Sequence, residues 1–341
     1  MLKHLTISLL ILLGGLLGVN AVQPAKVERF VFTEPHMGTT FRIVLYAADE
    51  AAAKKAAKAA FARVAELNAI MSDYQPTSEL MKLCQKSGGP PVKVSAELFE
   101  ILQKSEEFSR LTDGAFDVSI GPVVRLWRRA RRKGELPAAD DVKRALALVD
   151  YRKIKLDPQA RTVQLLLMGM LLDLGGIAKG YAADAALAVL RSHGITRALV
   201  AAGGDIAVGD PPPDAPAWKV GIAPLKKPDA PPEHYLFLKN AGVSTAGDAE
   251  QFIEIDGKRY SHIVDPKTGM ALLGRRSVTV VAPNATASDG MDTGLCVMGS
   301  QRGLPIIEAR PDLAALFVFE TDKGIESAPS KRLAQYLAKK P

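Results

Sequence analysis

The sequence predicts an α+β fold, and three observations point there. Segments with apolar residues at every second position and segments with an apolar residue every three or four positions both recur. They follow one another in no regular strand–helix order, which argues against a doubly wound parallel sheet. The 341 residues are 48% hydrophobic and 24% charged, the make-up of a globular chain long enough to bury a large core. Two cysteines exclude a disulfide-rich scaffold and a four-cysteine zinc site. The net charge of +7 is spread along the chain. Its densest basic stretch, Arg125 to Lys133, reads as a solvated surface turn. With only 6% aromatic residues and no base-stacking pattern, no nucleic-acid partner is expected.

Lys3 and His4 precede an apolar run from Leu5 to Val19, followed by Asn20-Ala21. This is the layout of a secretory signal peptide over 1–21. The run is shorter than the roughly 20 residues a spanning helix needs, although an uncleaved anchor is the alternative. No cysteine follows it, so a lipid anchor is not expected. The mature chain, 22–341, is then a single periplasmic domain. Cys84 and Cys296 are expected as two separate buried thiols.

Val27 to Phe32 and Phe41 to Tyr46 read as strands around a Met37-Gly38-Thr39 turn. Ala48 to Met71 places Phe61, Val64, Leu67 and Met71 on one helical face. Ser95 caps a second helix, which Gly114 closes. Asp140 to Leu148 is a third helix. Leu165 to Leu172 reads as a buried strand running into Asp173-Leu174-Gly175-Gly176-Ile177-Ala178-Lys179-Gly180, with a helix continuing to His193. Arg197 to Ala202 is the next strand. Pro211 to Pro232, with eight prolines, reads as a long surface loop. Gln251 to Ile255 and Arg259 to Val264 form a hairpin turned at Asp256-Gly257. Ser277 to Val281 is a strand, a helix runs from Asn284 or Ala285 to Met298, and Ala314 to Phe319 is a last strand.

Four clusters could carry chemistry. Asp289, Asp292 and Thr293 stand at i, i+3 and i+4, so they share one helix face. Two carboxylates and a hydroxyl suit Mg²⁺ rather than zinc, although acids are also common in early helix turns. The glycines of Asp173 to Gly180 allow a ligand to approach the backbone at a helix start, with Lys179 as a cation, or they make a tight turn. In Tyr260-Ser261-His262-Ile263-Val264-Asp265-Pro266, a histidine near an acid could serve as a general base or be structural. Thr112-Asp113-Gly114-Ala115-Phe116-Asp117 by itself is a helix C-cap and loop.

Together with Met37-Gly38-Thr39, Met71-Ser72-Asp73-Tyr74, Gly203-Gly204-Asp205, Val243-Ser244-Thr245 and Asp289-Gly290-Met291-Asp292-Thr293-Gly294, these pieces resemble, in order, the FAD:protein FMN transferases, the ApbE-type flavin transferases. The resemblance runs from about Met37 to Gly299. It implies the flavin transferase fold, with mixed, mostly antiparallel sheets and packed helices. It implies FAD as substrate and a Mg²⁺ site. Met37, Tyr74, Ala115, Phe116, Asp117, Asp173, Lys179 and Ile263 match positions that contact FAD in the family. Asp289, Asp292 and Thr293 match the metal ligands, and Gly176 a backbone carbonyl ligand. The implied reaction moves FMN from FAD onto a Ser or Thr hydroxyl of an acceptor protein, such as a membrane redox subunit or periplasmic flavoprotein, and releases AMP. His262 is the candidate base, with Asp265 as a helper. Hydrolysis of FAD to FMN and AMP, or flavin binding without turnover, are the alternatives.

Overall fold

The computed structural model describes residues 27–226, 230–232, 234–247 and 251–337. The expected signal segment 1–21 lies outside the described residues. Eight strands form one sheet whose spatial order is the chain order. They are β1 (Glu28–His36), β2 (Thr39–Ala47), β3 (Ala198–Ala202), β4 (Asp205–Val208), β5 (Ala241–Gly247), β6 (Arg276–Ala282), β7 (Ala314–Thr321) and β8 (Gly324–Pro329). Every neighbouring pair is antiparallel, so the fold is α+β as expected.

The other elements are inserted into the connections of this meander. Between β2 and β3 lie α1 (Glu50–Met71), α2 (Glu79–Cys84), α3 (Ala96–Leu111), α4 (Gly121–Lys133), α5 (Ala139–Leu146) and α6 (Ala178–Ser192). The same connection holds a small sheet of Val92–Lys93, Thr162–Leu165 and Ile154–Asp157. A hairpin of Trp218–Ile222 and His234–Leu238 joins β4 to β5. A three-stranded sheet of Phe252–Ile255, Lys258–Val264 and Ala271–Leu273 joins β5 to β6. The helix α7 (Ala285–Glu308) joins β6 to β7.

Period-two alternation gives the main sheet two cores. Phe41, Ile43 and Leu45 of β2 and Phe317 of β7 face one cluster with residues of α1, α6 and α7. Val44 and Leu316, one position away, face a second cluster with Trp218, Val220, Leu236 and Leu238 of the hairpin. Strand β6 is buried on both faces, with Val278, Val280 and Ala282 in the first cluster and Val281 in the second. A third cluster packs Val123, Trp127 and Ala130 of α4 against Tyr260 and Val264. There Trp127 Nε1 donates to the Gly269 carbonyl at 2.9 Å, so its one polar atom is satisfied.

Three expectations change. The strand expected over Leu165 to Leu172 ends at Leu165, because the chain turns there with Met168 exposed and Gly169 at φ 87°. Arg125 to Lys133 is the body of α4, not a turn. Pro122 in its first turn and left-handed Gly134 after its last residue bound it, and Val123, Trp127 and Ala130 at i, i+4, i+7 supply the buried stripe. Within Pro211 to Pro232, Trp218–Ile222 is a strand covering the sheet rather than plain loop. Cys84 and Cys296 are separate buried thiols, as expected.

The start of α7 is held from two directions. Asn284 caps it by accepting from Ala287 N–H at 2.8 Å. Asp184 of α6 accepts from Ala285 N–H, Thr286 N–H and the Thr286 hydroxyl. Ser288 bonds the Ser244 hydroxyl of β5 at 2.8 Å. The first segment of α7 stops at Gly299 (φ 71°, ψ 174°), close to the expected end at Met298. Helices α6 and α7 meet at Gly180, where a Cβ would fall 2.2 Å from the Ala285 carbonyl oxygen. Gly180→Ala should therefore force the helices apart. The expected loss is about 2 kcal/mol, within the usual 1–3 kcal/mol of overpacking and against a helix-propensity gain of at most ~1 kcal/mol. Thermal unfolding measures it, and an unchanged Tm would show that the contact is soft.

Candidate active site

Three carboxylates from distant stretches of chain converge beside this helix contact. Asp205 opens β4 directly after Gly203-Gly204, and Asp289 and Asp292 come from α7. All three are buried, and one oxygen of each lies within 4.8 Å of one from the other two. The Asp289 Oδ2 accepts from Gly180 N–H at 2.8 Å, so the close approach of α6 also orients this acid. Lys179 pairs with Asp205, and its Nζ lies 3.8 Å from Asp289 Oδ1.

Burial, followed by the Asp205 charge, pushes the Asp289 carboxyl up from the usual range. Asp292 is pushed well up by burial and then by Asp289 and Asp205. Burial works to lower the Lys179 ammonium, but the Asp289 and Asp205 charges outweigh it and hold it raised. Fully ionised, three carboxylates and one ammonium leave two negative charges, the complement of one divalent cation. An oxygen-only, buried, net-negative donor set fits Mg²⁺. Thr293 stands next to it, its hydroxyl 3.2 Å from Asp292 Oδ1. Gly176 faces Thr293, since a Cβ there would lie 3.2 Å from Thr293 Oγ1 and 3.3 Å from the Phe116 ring.

Of the other expected residues, Phe116 lies against Gly176. Phe116 and Ala115 are buried, and Phe116 meets Phe108 edge-on at 6.3 Å. Asp117 has both carboxylate oxygens engaged: Ser119 N–H and Oγ donate to Oδ1, and Tyr151 N–H donates to Oδ2. Its carboxylate thus braces the loop after α3. Met37, at φ 49°, precedes Thr39, which abuts Gly203 beside Asp205. Asp173 accepts from Gly175 N–H at 2.8 Å and from Arg128 at 2.8 Å. Tyr74 is 72% exposed, with the Arg128 guanidinium 4.2 Å from its ring centre.

His262 lies on the strand Lys258–Val264, which packs against α4 and α7. Its Nδ1 is 3.1 Å from the Gln251 carbonyl oxygen. A carbonyl only accepts, so in this hydrogen bond Nδ1 is the donor. Ile263 is buried in the main core. Asp265 accepts from Lys267 N–H at 2.8 Å and so shapes the turn that follows.

Two site residues escaped the sequence reading. Asp205 ends the Gly203-Gly204-Asp205 turn, and nothing in its spacing ties it to Asp289. Arg128 sits in a basic run, and only the helical phase of Val123, Trp127 and Ala130 separates it from its exposed neighbours.

Lys179→Met should strand three buried carboxylates without their ammonium. In EDTA the loss should be about 3 kcal/mol, the low end for a buried pair losing one partner, because 31% of the Lys179 side chain is still exposed. Millimolar Mg²⁺ should raise the Tm of this variant more than that of the parent chain. Equal Mg²⁺ shifts would mean that the carboxylates do not share a cation.

Comparison with known proteins agrees with this architecture. The family model described as the ApbE family matches residues 37–317. An FAD:protein FMN transferase of Klebsiella pneumoniae (strain 342) is 33% identical over 300 residues, covering 86% of this chain and 90% of the relative. One from Treponema pallidum (strain Nichols) is 32% identical, covering 89% and 88%. Among solved structures, the flavin transferase ApbE from Vibrio cholerae superposes with a TM-score of 0.81 at 29% identity, over 92% of this chain and all of that one. The ApbE protein from Thermotoga maritima gives 0.82 at 28% identity over the same shares. With the carboxylate cluster and its flanking motifs inside the matched span, this chain belongs to the ApbE family.

Proposed function

We propose that this chain is an FAD:protein FMN transferase that depends on Mg²⁺ and moves FMN from FAD to a Ser or Thr hydroxyl of an acceptor flavoprotein, releasing AMP. The buried cluster of Asp205, Asp289 and Asp292 with Lys179 carries this reading. It is a carboxylate cluster that could hold a cation, at a glycine-lined turn in a chain whose relatives bear that enzyme's name. Asp289, Asp292, Thr293 and the Gly176 carbonyl are the proposed metal ligands, with Asp205 beside them. A divalent cation bound there would neutralise charge on the phosphoryl oxygens as the anhydride breaks.

The chain's own residues do the rest. The FAD phosphoanhydride breaks toward AMP, and a phosphoester forms to the acceptor oxygen. That hydroxyl is a weak nucleophile and must lose its proton. His262 is the proposed base, with its ring held by the contact between Nδ1 and the Gln251 carbonyl. Lys179 adds positive charge beside the leaving phosphate. Tyr74, exposed at the rim, offers a flat surface to a ring of FAD. Met37, Ala115, Phe116, Asp117, Asp173 and Ile263 complete the proposed FAD surroundings. On the signal segment expected over 1–21, the proposed location of this activity is the periplasm.

The test is an incubation of mature protein with FAD, Mg²⁺ and an acceptor domain bearing a flavinylation motif. A fluorescent acceptor band on a denaturing gel, with one AMP per band, is expected. AMP without any band across a panel of acceptors would replace transfer by hydrolysis. His262→Ala should slow transfer by ~10²–10⁴-fold with FAD binding intact, and Asp289→Ala should lose more. A fully active His262→Ala protein would remove the base assignment.

A further inference from the structure

Arg128 lies where a turn of solvated charge was expected, yet its side chain is only 17% exposed. It makes three contacts, with the neighbouring residues Asp73 and Tyr74 and with the distant Asp173. One terminal nitrogen pairs with Asp73 and the other with Asp173 at 2.8 Å. Its Cζ lies over the Tyr74 ring, 4.2 Å from the centroid. Tyr74 remains 72% exposed despite this cover, so the face away from the guanidinium is open.

These contacts form one continuous chain of touching groups. From the Tyr74 ring it passes through Arg128 to Asp173 Oδ2, and from Asp173 Oδ1 to Gly175 N–H at 2.8 Å. The next residue, Gly176, abuts Thr293 beside the carboxylate cluster. An exposed aromatic ring is thereby held in register with a cation site. Arginine suits the task and lysine does not. Two carboxylates on different segments need two separate donors, and a planar cation stacks on a ring where an ammonium makes a point contact.

We propose that Arg128 is a positioning residue for the dinucleotide, holding Tyr74 as a stacking platform for one of FAD's ring systems at a fixed place relative to the cluster. This rests on the proposed use of FAD. The helix α4 therefore contributes to substrate binding without touching the reacting atoms, and its Trp127 anchor to Gly269 fixes where Arg128 starts.

The experiment is a double-mutant cycle on FAD affinity, read by flavin fluorescence, which needs neither acceptor nor turnover. Arg128→Gln should weaken FAD binding about tenfold in the parent chain and less than about twofold in a Tyr74→Leu background, since coupled residues are non-additive. Arg128→Lys should recover only part of the loss, and circular dichroism should show each variant folded. Parallel titrations with FMN and ADP identify the ring: whichever weakens with FAD is the one stacked on Tyr74. Equal losses in both backgrounds would make Arg128 a general structural residue and overturn the proposal, as would FAD binding unchanged by Arg128→Gln. A parent chain that does not bind FAD at all would overturn the proposed function as well, which separates the two failures.

Discussion

Three buried carboxylates share one small space with a single ammonium, and much of the molecule is arranged to make that tolerable. An isolated charge in a protein interior costs several kcal/mol, so Asp205, Asp289 and Asp292 need fixed counter-charges and donors. Lys179 supplies the charge and the Gly180 N–H supplies a donor, and both come from the first turn of α6. They reach Asp289 only because α6 and α7 approach to backbone contact at Gly180. Asp184 and Asn284 then fix where α7 begins, and hence which of its faces meets α6.

The surrounding packing follows from this requirement. One position after Asp289 on α7, a Cβ at Gly290 would fall 2.4 Å from the Phe108 ring, so the end of α3 lies flush against the helix. That brings the Thr112–Asp117 loop to the cluster, with Phe116 against Gly176. The eight-stranded sheet supplies rigidity rather than chemistry: its helix-facing side chains are mostly apolar, with Ser244 bonded to Ser288 of α7, while Asp205 stands at the very start of β4. Chemical groups come from insertions and strand ends, and the sheet holds their origins in place.

What could be read from the sequence divides along physical lines. Local signals were legible. Ser95 and Gly114 bounded a helix, Asp256-Gly257 turned a hairpin, and i, i+3, i+4 spacing placed Asp289, Asp292 and Thr293 together. Long-range convergence was not. Asp205 joins its partners across more than 80 residues, and no local period encodes that. Arg128 was hidden differently, because a run of basic residues looks solvated until the helical phase of Trp127 is recognised. The strand expected beyond Leu165 failed because Leu166 to Met168 are apolar for another reason: they form a turn with an exposed methionine. The hairpin strand Trp218–Ile222 was masked by the prolines around it, which bound the strand without breaking it.

The order of the main sheet has a kinetic meaning. Strands β2 and β3 are neighbours in space, but 150 residues separate Ala47 from Ala198. Closing a loop of that length costs only about 1.4 kcal/mol more than closing one of thirty residues. The thermodynamic burden is therefore slight, but search time grows when adjacent strands are so far apart along the chain. The strands from β3 onward are joined by much shorter links and can assemble as a nucleus of their own. The β1–β2 hairpin would then be added late, as a lid on an edge already formed, and Met37 and Thr39 at its turn would reach the Asp205 side of the site only in that last step.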